Sequence, residues 1–179
     1  MTTTITGALA VDVDEVLAGL HEAWLRAYNR RYGDSLVAFT EWDVHKQVKP
    51  ECGMQIYDFL TPELYDEIEP VPGAVAAMQI LVQRYQVIYV SACGNNTMAN
   101  RKVTWLRDYG FPELPFIAAQ RKHLVPGLAV LVDDHFDNCR LFEDPPHKRA
   151  VLVQRPHNAN AEWRGLRVPD LISFAVSIV

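Results

Sequence analysis

Hydrophobic positions fall into short unbroken runs separated by stretches of helical spacing, and this alternation organises the chain. The first run, Ala8-Leu9-Ala10-Val11, breaks on Asp12 and Asp14, with Glu15 beside them. Such a run reads as a buried strand carrying acids at its C-terminal end. Leu17, Leu20, Trp24, Leu25 and Tyr28 then recur at helical spacing, which predicts a helix over 16–32 stopped by Gly33. Residues 34–72 contain Pro50, Pro62, Pro70 and Pro72 and no strand pattern, so short helices are expected, one opening at Thr61-Pro62-Glu63.

Beyond residue 73 the pattern becomes regular. Helices expected over 73–84, 97–109, 136–142 and 169–179 alternate with strands expected over 86–91, 116–119, 129–133 and 150–154. Alternation of this kind predicts an α/β fold: a mostly parallel, five-stranded, Rossmann-like sheet with helices on both faces. Ligands of such sheets bind beyond the strand C-termini, at a topological switch point. Residues 1–16 and 73–179 are expected to form this core, with 17–72 as a small helical cap inserted after the first strand.

The acids now acquire meaning. Leu131-Val132 runs into Asp133-Asp134 just as the first run ends on Asp12 and Asp14. Several carboxylates at one edge of an apolar sheet repel each other and are costly to desolvate, so a hard cation among them is expected, by default Mg²⁺.

Composition narrows the partners. With 179 residues, 49% hydrophobic and 22% charged, the chain fits one soluble domain with a small insertion, and no internal repeat interrupts it. A net charge of −5 argues against binding nucleic-acid polymers through a basic surface. A small anionic substrate stays open, because a local pocket and a metal overcome a mildly acidic exterior. Cys52, Cys93 and Cys139 form neither a disulfide framework nor a zinc-ligand spacing, which suits a reducing cytoplasm. No leader is expected in Met1–Thr6, and no membrane span is expected anywhere.

Asp12-Val13-Asp14 after the first strand, Ser91 after the second, Lys122 ahead of the acid pair, and Asp133-Asp134 with Asn138 stand in the order of four motifs. In that order the chain resembles the haloacid dehalogenase-like (HAD) phosphohydrolases across residues 8–154. Within them it is most similar to the 5′(3′)-deoxyribonucleotidases, through the small cap after the first motif, Thr40-Glu41-Trp42-Asp43 within it, and Arg155-Pro156-His157-Asn158 after the last strand. The resemblance implies a Mg²⁺-dependent phosphomonoesterase acting on a small phosphorylated metabolite, foremost a deoxynucleoside monophosphate. It implies Asp12 as nucleophile and Asp14 as acid and base; Mg²⁺ on Asp12, the Asp14 main-chain carbonyl and Asp133; phosphate on Ser91, Ala92 and Lys122; and supporting roles for Asp134 and Asn138.

Departures and rivals accompany this reading. Glu15 stands where many relatives carry Gly, and Ala92 replaces a hydroxyl expected in the nucleotidases. Arg121 precedes Lys122 and could substitute for it. Trp42 is a candidate substrate-pocket residue, although Trp42, Tyr57 and Phe59 taken singly fit packing within the cap. His135 and Trp105 read as structural, and Cys93 as a bystander in the phosphate loop. A sugar phosphatase, a polynucleotide-end phosphatase and a non-hydrolytic receiver-like phospho-regulatory domain remain as alternatives. A dehalogenase is disfavoured by Asp14, because displacing halide from carbon needs no second acid.

Overall fold

The computed structural model describes residues 7–144 and 147–178. The expectation for Met1–Thr6 and the last residue of the helix expected over 169–179 lie outside them. Strand β1 (Ala8–Val11) leads to helix α1 (Leu20–Tyr32), and three short 3₁₀ helices, Val44–Lys46, Gly53–Phe59 and Pro62–Asp66, occupy the next segment. There follow α2 (Ala74–Leu81), β2 (Val87–Ser91), α3 (Asn96–Asp108), β3 (Phe116–Ala118), a 3₁₀ turn at Lys122–Leu124, β4 (Leu128–Asp133), α4 (Phe136–Glu143), β5 (Arg149–Val153), β6 (Leu166–Val168) and α5 (Leu171–Ser177).

All strand pairs are parallel, in the order β3-β2-β1-β4-β5-β6. Among the described residues the sheet therefore has six strands, one more than the sequence pattern predicts. The extra strand, β6, holds only three residues, and Leu166 in it is exposed, so no apolar run announces it. Side-chain alternation splits the core across the two faces. Leu9 and Val11 join Val87, Tyr89, Val130 and Val132 beneath residues of α1, α2, α3 and α5. Ala8 and Ala10 join Val90, Leu131 and Leu152 against Cys139 and Phe142 of α4.

The sequence pattern starts α1 too early. Residues 16–19 form a tight turn instead: the amides of Leu17 and Ala18 both donate to Val13 O at 2.9 Å, and Glu15 N donates to Ala18 O at 2.7 Å. Val16 and Leu17 are fully buried, so their apolar character reflects packing in this turn rather than helical periodicity. The end of α1 is as expected, with Gly33 in the left-handed region at φ 57°. Among the described residues no helix is long and apolar enough to cross a membrane.

Strand order also dictates where the acids meet. The chain leaves β1 for β2 on one side, and β4 lies on the other, so the switch point falls between β1 and β4. Val11 pairs with Val132, which sets Asp12, just beyond β1, beside Asp133, the last residue of β4.

Candidate active site

The geometry at this switch point is built around one lysine. Lys122 Nζ lies 2.6 Å from Asp12 Oδ2 and 2.7 Å from Asp133 Oδ2, and all three residues are buried. Asp12 Oδ1 accepts from Val13 N at 2.7 Å. Asp133 Oδ1 accepts from His135 N at 2.8 Å, and its Oδ2 also accepts from Asn138 Nδ2 at 3.1 Å, so the first turn of α4 orients this carboxylate. Arg121 is exposed, so Lys122 and not its neighbour occupies the site.

Asp134 joins the cluster. Carboxylate oxygens of Asp12, Asp133 and Asp134 lie within 4.8 Å of one another, and all three side chains are buried. Three carboxylates face one ammonium group, and two of them, Asp12 and Asp134, are displaced from the ordinary carboxylate range. Burial pushes Asp12 up to about 7 against the pull of Lys122, with Asp133, Asp14 and Asp134 adding to the rise. Burial and Asp133 hold Asp134 well above the usual carboxylate range. Burial alone would lower Lys122, but Asp12 and Asp133 outweigh it and raise it. An all-oxygen, anionic, water-poor set of this kind fits a hard divalent cation. The sequence reading gave Asp134 only a supporting role, whereas the fold places its carboxylate among the candidate ligands.

Asp14 lies in the turn after β1, and its main chain bridges to Ala18. Its carboxylate is held from two directions. Oδ2 accepts from Lys102 Nζ of α3 at 2.5 Å, and Oδ1 accepts from the Tyr65 hydroxyl of the Pro62–Asp66 helix. Lys102 also donates to Ser91 Oγ at 3.0 Å and to Ala92 O at 2.8 Å. Ser91 is fully buried at the end of β2, while Ala92 reaches the cavity wall. Asn95 caps α3 through Met98 N at 2.9 Å, which orders the loop that follows Ser91.

A cavity of about 490 Å³ opens over these groups, and Asp12, Asp14, Lys122, Asp134, Trp42 and His135 contribute to its wall. Trp42 is 52% exposed and stacks on His135, with ring centroids 3.7 Å apart at 22°. Tyr57 and Phe59 pack against the core, and Tyr57 lines the cavity together with Trp42. His135 packs against the Trp42 ring at the cavity wall. Trp105 is core, and burial raises the Cys93 thiol, which leaves it un-ionised.

Beside the acids, Glu15 adopts φ 57° and is buried. Oε1 accepts from His21 N at 2.6 Å, and Arg155 Nε lies 3.7 Å from Oε2. Burial and Asp134 push Glu15 up to about 7, against the pull of His21 N and Arg155. Burial and His157 push His21 down to about 3, so it is neutral.

Lys102 and Tyr65, which hold the Asp14 carboxylate, escaped sequence reasoning. Lys102 left a readable signal: it sits in phase with Met98, Trp105, Leu106 and Tyr109, on the face of α3 that packs inward. A lysine on an apolar face demands a buried partner. Tyr65 left none, because its segment has no periodicity.

Comparison with known proteins adds an independent line. Residues 6–169 match the family described as 5′ nucleotidase, deoxy (pyrimidine), cytosolic type C protein. A 5′(3′)-deoxyribonucleotidase of Clostridium acetobutylicum is 31% identical over 171 residues, covering 90% of this chain and 89% of that one. A 5′(3′)-deoxyribonucleotidase of Bacillus subtilis is 28% identical over 167 residues, covering 89% and 91%. Among solved structures, a haloacid dehalogenase-like hydrolase of Streptococcus pneumoniae superposes with a TM-score of 0.65 at 11% identity, covering 99% of this chain and 100% of that one.

Proposed function

Since the chain belongs to the family of deoxy (pyrimidine) cytosolic type C 5′ nucleotidases, HAD-type phosphatases, we propose that it hydrolyses a deoxynucleoside monophosphate with Mg²⁺ through an aspartyl phosphate. The observation that carries this reading is the Lys122 bridge: one ammonium 2.6 Å from Asp12 and 2.7 Å from Asp133, at the mouth of neighbouring strands. It leaves a carboxylate oriented for attack, with a cation beside it to offset phosphoryl charge.

Asp12 attacks phosphorus and the ester bond breaks. Asp14 gives its proton to the departing oxygen, then takes one from the water that cleaves the aspartyl phosphate, releasing inorganic phosphate and restoring both acids. Lys122 and the loop at Ser91 and Ala92 hold the phosphoryl oxygens. Asp12, Asp133 and the Asp14 carbonyl, with Asp134 nearby, would hold Mg²⁺, whose chemistry is to neutralise phosphoryl charge. Residues 17–72 act as the cap, where Trp42 offers an aromatic face to a base. A small substrate rather than a polymer suits the net charge of −5, and three free cysteines suit the cytoplasm.

Phosphate release from a panel of nucleoside and sugar monophosphates with Mg²⁺ tests the reading. Turnover is expected on deoxynucleoside monophosphates, with Asp12→Asn lowering kcat by about 10³-fold or more. Absence of turnover on every member, or an Asp12→Asn variant as active as the parent, would sink it.

A further inference from the structure

An acid that must serve both half-reactions has to meet the same oxygen position twice, and a carboxylate in a turn has no intrinsic reason to stay there. The side chain of Asp14 is 25% exposed. It lies on the boundary between the cavity of about 490 Å³ and a second one of about 250 Å³, and lines both. Yet each of its oxygens is engaged by a different element. Lys102 spends its three N–H donors on Asp14 Oδ2, Ser91 Oγ and Ala92 O, tying the acid to the phosphate loop. The other oxygen takes the hydroxyl of Tyr65.

Tyr65 is only 2% exposed and comes from the 34–72 segment rather than from the sheet. Its neighbourhood is bolted to the same helix that carries Lys102: Arg101 pairs with Asp66, and Trp105 Nε1 donates to Ile68 O at 2.9 Å. One face of α3 thus fixes both donors to Asp14. We propose that Tyr65 is a positioning residue, whose hydroxyl together with Lys102 locks the Asp14 carboxylate at the leaving-group oxygen. The proposal rests on Asp14 being the acid and base of the hydrolysis. It makes this part of the cap a component of the proton-transfer machinery.

Tyr65→Phe removes one oxygen and keeps the ring that packs edge-on against Trp105. A strut and a positioner then part company. kcat/KM reports the steps through cleavage of the ester bond, where an alkoxide needs a proton and a nitrophenolate scarcely does. In Tyr65→Phe, kcat/KM for a deoxynucleoside monophosphate should fall about 10–100-fold, while that for p-nitrophenyl phosphate changes less than about threefold. Thermal unfolding of Tyr65→Phe, Asp14→Asn and the double variant should be non-additive by about 2–4 °C, reporting the contact without reference to activity. Equal losses on both substrates, no loss on either, or additive melting shifts in an active parent would overturn the positioning role alone. A parent inert on every phosphate ester would instead remove the hydrolase reading, and this role with it.

Discussion

Glu15 holds the left-handed conformation at φ 57°, where an L side chain costs about 1–2 kcal/mol, and it buries a carboxyl there as well. Its rise from an ordinary 4.5 to about 7 makes a stability statement. The folded chain binds this proton more tightly than the unfolded one. The contribution is therefore complete below 4.5 and disappears as pH climbs through about 7. In metal-free protein, Glu15→Gln keeps an acceptor for His21 N and removes the titration. Denaturant unfolding should show parent and variant similar near pH 5, with Glu15→Gln more stable by about 1–3 kcal/mol at pH 8. A constant difference across that range would show that Glu15 carries no uncompensated charge. The residues of the acid cluster were readable because each ends an apolar run, and the run itself is the burial signal. Tyr65 was not, since a tyrosine in an aperiodic segment looks alike whether its hydroxyl meets water or Asp14.

At the scale of elements, legibility followed periodicity. β1, β2, β4 and β5 are continuous apolar runs and were readable near their true bounds, whereas β6 is three residues at the sheet edge. The start of α1 was misplaced because Val16 and Leu17 are buried by a turn that happens to continue the helical phase. Its end was readable because Gly33 supplies the one backbone state that closes it. A Cβ at Gly33 would meet nothing within 4 Å, so Gly33→Ala isolates conformational cost from packing. It should lower the melting temperature by about 2–4 °C, corresponding to about 1 kcal/mol for a chain of this size, and leave kcat/KM unchanged. A loss of activity would mean that α1 transmits strain to Glu15 and His21.

At the scale of the molecule, the site exists only because six parallel strands place β1 beside β4. Asp12 is remote from the adjacent Asp133 and Asp134 along the unfolded chain, so a cation that binds all three binds the native state alone. Such a ligand stabilises by RT ln(1 + [L]/Kd), about 2.7 kcal/mol at a hundredfold excess over Kd. For a chain of this length that corresponds to a rise of roughly 5–10 °C in melting temperature. Mg²⁺ titrated into chelator-treated protein near pH 7.5 should produce this rise without any substrate present. Asp133→Asn should abolish it, because the amide withdraws a charge from the cluster while Lys122 still pairs with Asp12. A rise of equal size in Asp133→Asn would place the cation elsewhere on the acidic surface. No rise in the parent would mean that Lys122 alone balances the three carboxylates, leaving the raised state of Asp12 and Asp134 as protons rather than as a vacancy for metal.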